Sequence, residues 1–147
     1  MGWQFIAAFA ALGLAACADY PRDAEGTLDA VHERRTIRLG LGPTAAADRA
    51  VLERFIGTLG QSTGARMQTV AGPQEELLAK LEHGEIDLVA GHFVEDSPWL
   101  ADVALIEPLT TRPSGDRKIG LALVARNGEN AWIGLIERTV RDVRGGK

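Results

Sequence analysis

The sequence has a single cysteine, Cys17, among its 147 residues. No intramolecular disulfide can form, and a thiol consumed by modification leaves none free. Neither sign of charge is in large excess. The 16 Lys and Arg stand against 20 Asp and Glu, a net charge of −4, so nothing suggests a nucleic-acid partner. Long hydrophobic runs are missing too: the apolar stretch Phe5 to Ala16 falls short of the about 20 residues that a membrane-spanning helix needs. There is no Walker loop, no G-x-G-x-x-G, no paired-His motif and no G-x-S-x-G elbow. The three histidines, His32, His83 and His92, are scattered, with His32 and His83 on predicted helix surfaces. These absences point to a protein without enzymatic activity, cofactor or metal. Internal repeats and low-complexity segments are lacking as well.

What is present begins at the amino end. Met1 to Ala16 carries no charge and has the length of a signal-peptide apolar region. It leads into Leu14-Ala15-Ala16-Cys17, which resembles the lipobox of bacterial lipoproteins, where small residues admit a peptidase before a diacylated cysteine. The resemblance implies a signal over residues 1–16, a lipid on Cys17, and a location on the periplasmic side of the cell envelope. Residues 17–26, polar and broken by Pro21, read as a tether. Residues 27–147 are one domain's worth of chain, enough for a single core.

Within that domain, Leu28 and Val31 share a helical face behind a capping Thr27, and Thr36 to Leu41 alternates as a strand ending in Gly42-Pro43. Asp48 is placed to cap a helix running to about Gly60, with Val51, Phe55 and Leu59 on one side. Met67 to Ala71 is a second strand. Gly72-Pro73 opens a helix with Leu77, Leu78 and Leu81 buried, stopped at Gly84. Ile86 to Ala90 is a third strand, ending at Gly91-His92-Phe93. Polar loops surround a short strand, Val103 to Ile106; the second loop covers Thr110 to Lys118. Ile119 to Ala125 is a strong strand, and Asn130 caps a closing helix bearing Trp132, Ile136, Val140 and Val143. Strand–helix alternation with short connections predicts an α/β, three-layer domain with a mostly parallel sheet of about five strands.

Four stretches together resemble extracellular solute-binding proteins of family 3, which have the type 2 periplasmic fold. They are Gly26 to Gly40, Glu76 to Val89 with its Leu-x-x-Gly-x-x-Asp spacing, Ala104 to Leu109, and Leu123 to Trp132. The resemblance implies a relative of ABC-transporter binding proteins that binds or senses a small solute with an envelope partner. The alternative is an interaction lipoprotein that has lost ligand binding. Two departures from the pattern matter. The sequence stops soon after the second lobe should begin, so a single lobe is expected. The element after the third strand also lacks the arginine that holds an amino acid's carboxylate. That loop offers only Glu95, Asp96 and Asp102 as charges, so a neutral or cationic solute, or a protein, is favoured over a common amino acid.

Ligands of open parallel sheets sit beyond the carboxyl ends of the strands. That rule selects Gly42, Pro43, Gly72, Gly91, His92 and Phe93, with Asp96 and Trp99 in the following loop. The glycines either let backbone N–H groups approach a ligand or only make tight turns. His92 either binds a ligand or senses pH, or is simply packed. Trp99 is a platform, a lid or packing. Asp87, inside a strand, is expected to make a structural hydrogen bond if buried.

Overall fold

The computed structural model describes residues 22–93 and 100–146. Cys17, the signal segment, Glu95, Asp96 and Trp99 lie outside the described residues. Helices α1 (Thr27–Arg34), α2 (Arg49–Thr63), α3 (Gln74–Glu82) and α4 (Asn130–Arg144) surround a sheet of five strands. These are β1 (Thr36–Leu41), β2 (Arg66–Ala71), β3 (Leu88–His92), β4 (Val103–Ile106) and β7 (Leu121–Arg126), in the order β2-β1-β3-β7-β4. Strands β5 (Arg112–Ser114) and β6 (Arg117–Ile119) form a separate antiparallel hairpin.

Alternation along each strand divides the core into two layers. Ile37 and Leu39 of β1, Leu88 and Ala90 of β3, and Leu121, Leu123 and Ala125 of β7 pack against α1, α2 and α4. Their neighbours Val89, Ala122 and Val124 face the opposite side, against Leu77, Leu78 and Leu81 of α3. The three-layer α/β arrangement expected from the sequence is therefore present. Gly40 has no room for a side chain on the α3 side of the sheet: a Cβ there would lie 2.6 Å from Ile86 and 3.2 Å from Leu77. Trp132 anchors α4 with no exposed surface, and its indole N–H donates to the Asp87 carbonyl at 2.8 Å.

Several local expectations change. β1, β2 and β3 are parallel, but β7 runs antiparallel to both β3 and β4. Four of the five strands thus point one way, with one reversed between them. The segment from Ile119 to Ala125 is two strands, broken at Gly120. A Cβ at Gly120 would stand 1.9 Å from the Thr110 carbonyl, so the chain passes that point only with no side chain. Thr110 to Lys118, read as a loop, contains most of the hairpin. Helix α2 continues past Gly57 and Gly60 to end at Gly64, whose φ of 65° suits a glycine.

Thr27 and Asn130 do not cap their helices; the capping positions fall on Gly26 and Glu129. Instead the side chain of Asp23 caps both helices. Its two oxygens accept from Leu28 N on α1 at 2.7 Å and Trp132 N on α4 at 2.9 Å. Buried Glu129 completes the junction, accepting from Glu25 N at 2.7 Å and Thr27 N at 2.8 Å. Burial alone would raise the Glu129 carboxyl's pKa. The hydrogen bonds from Thr27 and Glu25 and the charge of Arg126 outweigh it and hold the group below its usual range. Residues 23–26, assigned to the tether, are therefore fixed on the domain.

Asp87 stands just before β3 rather than inside it, buried, and makes the structural contacts expected of it. It pairs with Arg34 and with Arg38, the latter at 2.7 Å, and accepts from Arg38 N at 2.7 Å. Its role is structural, tying α1 and β1 to the start of β3.

Candidate functional site

The carboxyl ends of β1 and β3 lie side by side, with Leu41 opposite Ala90 and Gly42 N donating to the Ala90 carbonyl at 3.0 Å. Beyond β1 the chain turns through Pro43 and a short 3-10 turn, Ala46–Asp48, before α2. Asp48 stands at the capping position of α2, yet its carboxylate makes no capping hydrogen bond. It turns inward, 1% exposed, and collects three donors from distant parts of the chain. The His92 Nε2 lies 2.8 Å from Oδ2, an Arg112 guanidinium N–H donates to Oδ2 at 2.7 Å, and the Thr110 hydroxyl donates to Oδ1 at 2.9 Å. Thr110 in turn accepts from Leu121 N at 3.1 Å. One carboxylate therefore joins the β1 loop, the end of β3, the chain entering β5 and the start of β7.

Burial alone would raise the pKa of this carboxyl. The hydrogen bonds from Thr110 and His92 and the charge and hydrogen bond of Arg112 outweigh it, and Asp48 is held ionised, below the usual carboxylate range. His92 stands between two acceptors, Asp48 and the Pro43 carbonyl, which lies 3.2 Å from Nδ1. A neutral ring donates to one of them and an imidazolium to both.

The exposures are graded. Side-chain exposure is 1% for Asp48, 22% for His92 and 41% for Arg112. The acid lies at the back and the cation at the front. Among the described residues one guanidinium nitrogen of Arg112 has a side-chain partner, and the side chain is 41% exposed.

The structure brings some of the sequence candidates together and separates others. Gly42, Pro43 and His92 meet at this end, with Gly91 one residue before His92 in β3. Phe93 is 6% exposed and packs in the α3 layer, so it belongs to the core. Gly72, at the end of β2, approaches only Leu77, at 3.7 Å. None of Gly42, Gly72 and Gly91 has a positive φ, so none is required by turn geometry.

Asp48 and Thr110 are not among the residues selected from the sequence, and Arg112 enters there, with Arg117, only as an arginine that could replace the missing one. Asp48 read as a helix cap, while Thr110 and Arg112 lay in a stretch read as loop. The sequence offered no signal for the pairing, because 62 and 64 residues separate Asp48 from its two partners. The acidic loop expected after the third strand lies mostly outside the described residues, but a cation reaches this end of the sheet from elsewhere, Arg112 of β5.

Surface grooves also occur elsewhere among the described residues. One, of about 370 Å³, runs between α2 and the end of α4, lined by Arg54, Gly57, Thr58 and Val143. Another, of about 480 Å³, is at the opposite pole beside Arg126 and His83. Among the described residues no cluster of side chains is arranged to hold a metal ion.

Comparison with solved structures gives this architecture a place. Domain 1 of TmArgBP, in the arginine-bound form of its Phe57Trp mutant, matches with a TM-score of 0.65 at 15% identity, over 80% of this chain and 98% of that one. The fold is that of one lobe of a family 3 type solute-binding protein. An ancestral cationic amino acid solute-binding protein matches the lobe with a TM-score of 0.65 at 10% identity, over 82% of this chain and 94% of that one. The VFT2 domain of Bordetella pertussis BvgS matches it with a TM-score of 0.60 at 10% identity, over 86% and 99% of the two chains. No family model matches the sequence, and no curated protein matches it.

Proposed function

We propose that this chain is a non-catalytic, lipid-anchored solute-binding protein of the bacterial cell envelope, acting on the periplasmic side. It holds or senses a small polar solute at the carboxyl ends of β1 and β3 and passes that state to a protein partner. The observation that carries the reading is the Asp48–His92–Arg112 cluster. A buried carboxylate fixes a partly exposed arginine, at the end of the sheet where open α/β folds bind ligands. Such a fork suits a carboxylate or phosphate oxygen. The premise on which common amino acids were disfavoured, the want of a cation, no longer holds, and a solute bearing an acidic group becomes the better fit. The amino-acid-binding proteins among the structural neighbours support solute binding in general. The lipid is supported by Leu14-Ala15-Ala16-Cys17 following an apolar, uncharged segment.

A second reading, an adaptor that has given up its ligand, draws on two exposed apolar residues. Leu105 on the edge strand β4 is 39% exposed and Ile119 on the hairpin 36%. They are single side chains rather than a broad patch, and isolated exposed apolar residues are ordinary on protein surfaces. The solute reading therefore leads.

Mass spectrometry of the intact protein purified from its native envelope tests both parts. The expected masses are those of a chain beginning at Cys17 with a diacylglycerol-sized addition, which Cys17→Ser abolishes. Under native conditions a small-molecule adduct is expected that Arg112→Gln loses. An unlipidated wild type refutes the anchor, and a bare lobe under all native conditions favours the adaptor.

A further inference from the structure

The lobe has two poles, and the chain fixes which of them carries the tether. Strand β7 begins at Leu121, opposite His92, and ends at Arg126, so it runs from the Asp48–His92–Arg112 pole to the other end of the sheet. There it meets the junction built on Asp23. Asp23 caps α1 and α4 together, Ala24 N donates to the Gly128 carbonyl at 3.1 Å, and Glu129 holds the backbone of Glu25 and Thr27. Asp23 is therefore a fixed point at the pole opposite the candidate site.

We infer that the lobe stands on its membrane by the α1–α4 pole and displays the Asp48–His92–Arg112 site away from the bilayer. The partner that reads the site is then a protein domain approaching from the aqueous side, not the membrane to which the chain is attached. The inference rests on the proposed lipid at Cys17. The chain from Cys17 to Asp23 is six residues long and spans about 20 Å when fully extended. The six residues of β7 alone cover roughly 20 Å between the poles. Turning the site toward the bilayer would require the whole tether to lie stretched along the side of the domain. No slack would remain to reach the lipid surface, and all of the tether's conformational freedom would be lost.

Lipidated protein from the native envelope, reconstituted into vesicles carrying a headgroup quencher, tests the orientation. A lipid-blocked Cys17 leaves no competing thiol, so a fluorophore goes to one introduced cysteine. Asn127→Cys reports the α1–α4 pole and Thr111→Cys the site pole; both positions are exposed. The expected result is strong quenching at position 127 and little at 111, with the difference shrinking when a flexible Gly-Ser segment lengthens the tether. Equal quenching at both positions, or more at 111, overturns the orientation while leaving the anchor intact. Protein that fails to sediment with the vesicles, with neither label quenched, overturns the anchor and the orientation with it.

Discussion

The carboxylate of Asp48 is held ionised behind Arg112, His92 and Thr110, and the stability it supplies follows that ionisation. Its pKa is lower in the folded chain than in the unfolded one. The contribution is therefore complete above the unfolded value, about 4, and is lost as the pH falls through the folded value. Glu129 adds a contribution of the same sign. We expect the wild type to lose stability in the acid range below about pH 4. Asp48→Asn should be less stable at neutral pH and show a shallower decline over that acid range, read by thermal unfolding across a pH series. A variant with the wild-type acid profile would show that Asp48 is not charged as described. Little of this role is legible from residue type. An Asp before an amphipathic helix is a good capping residue, and only the distant partners redirect it. Asp87 is only partly different: a buried Asp beside a strand calls for a partner, but its partners Arg34 and Arg38 are 53 and 49 residues away and no local pattern names them.

Elements with a strong local period were the most legible. The alternation of β1, the leucines of α3 and the spacing of Trp132, Ile136, Val140 and Val143 in α4 each follow from burial of one face, and the structure buries those faces. The reversal of β7 and the β5–β6 hairpin were not legible. Strand direction leaves no trace in periodicity, and two three-residue strands among Arg, Pro, Ser and Gly look like loop. Gly120 is the pivot between hairpin and sheet, and its proximity to the Thr110 carbonyl ties the fold of that element to the site. Gly120→Ala should cost about 1–3 kcal/mol or more, because the clash is with backbone rather than a movable side chain. It should also weaken the Thr110–Asp48 contact. Thermal melting checks it, and an unchanged melting temperature would mean that the chain at Gly120 and Thr110 is not packed as described.

At the scale of the described molecule, the two poles differ. The α1–α4 end is closed by Asp23, Glu129 and Trp132, while the opposite end gathers Asp48, His92, Thr110 and Arg112 around the strand termini. The fold of the lobe was within reach of the sequence, because its order of elements is written in short periodic segments. The candidate site was only partly legible: the strand-end rule selects His92, Gly42 and Pro43, which the structure places together, but Arg112 comes from a hairpin the sequence hides. The central claim is that this pole takes a small solute through Arg112. The direct measurement is a titration of isotopically labelled protein, followed by amide and guanidinium NMR signals. Acetate, phosphate and a panel of amino acids serve as probes. The account predicts saturable shifts at Gly42, His92 and Arg112 with at least one probe. Those shifts should be lost in Arg112→Gln, with Gly128 and Glu129 at the far pole unmoved. Saturable shifts that persist in Arg112→Gln, or that fall at the far pole with none at Gly42 and His92, would contradict it.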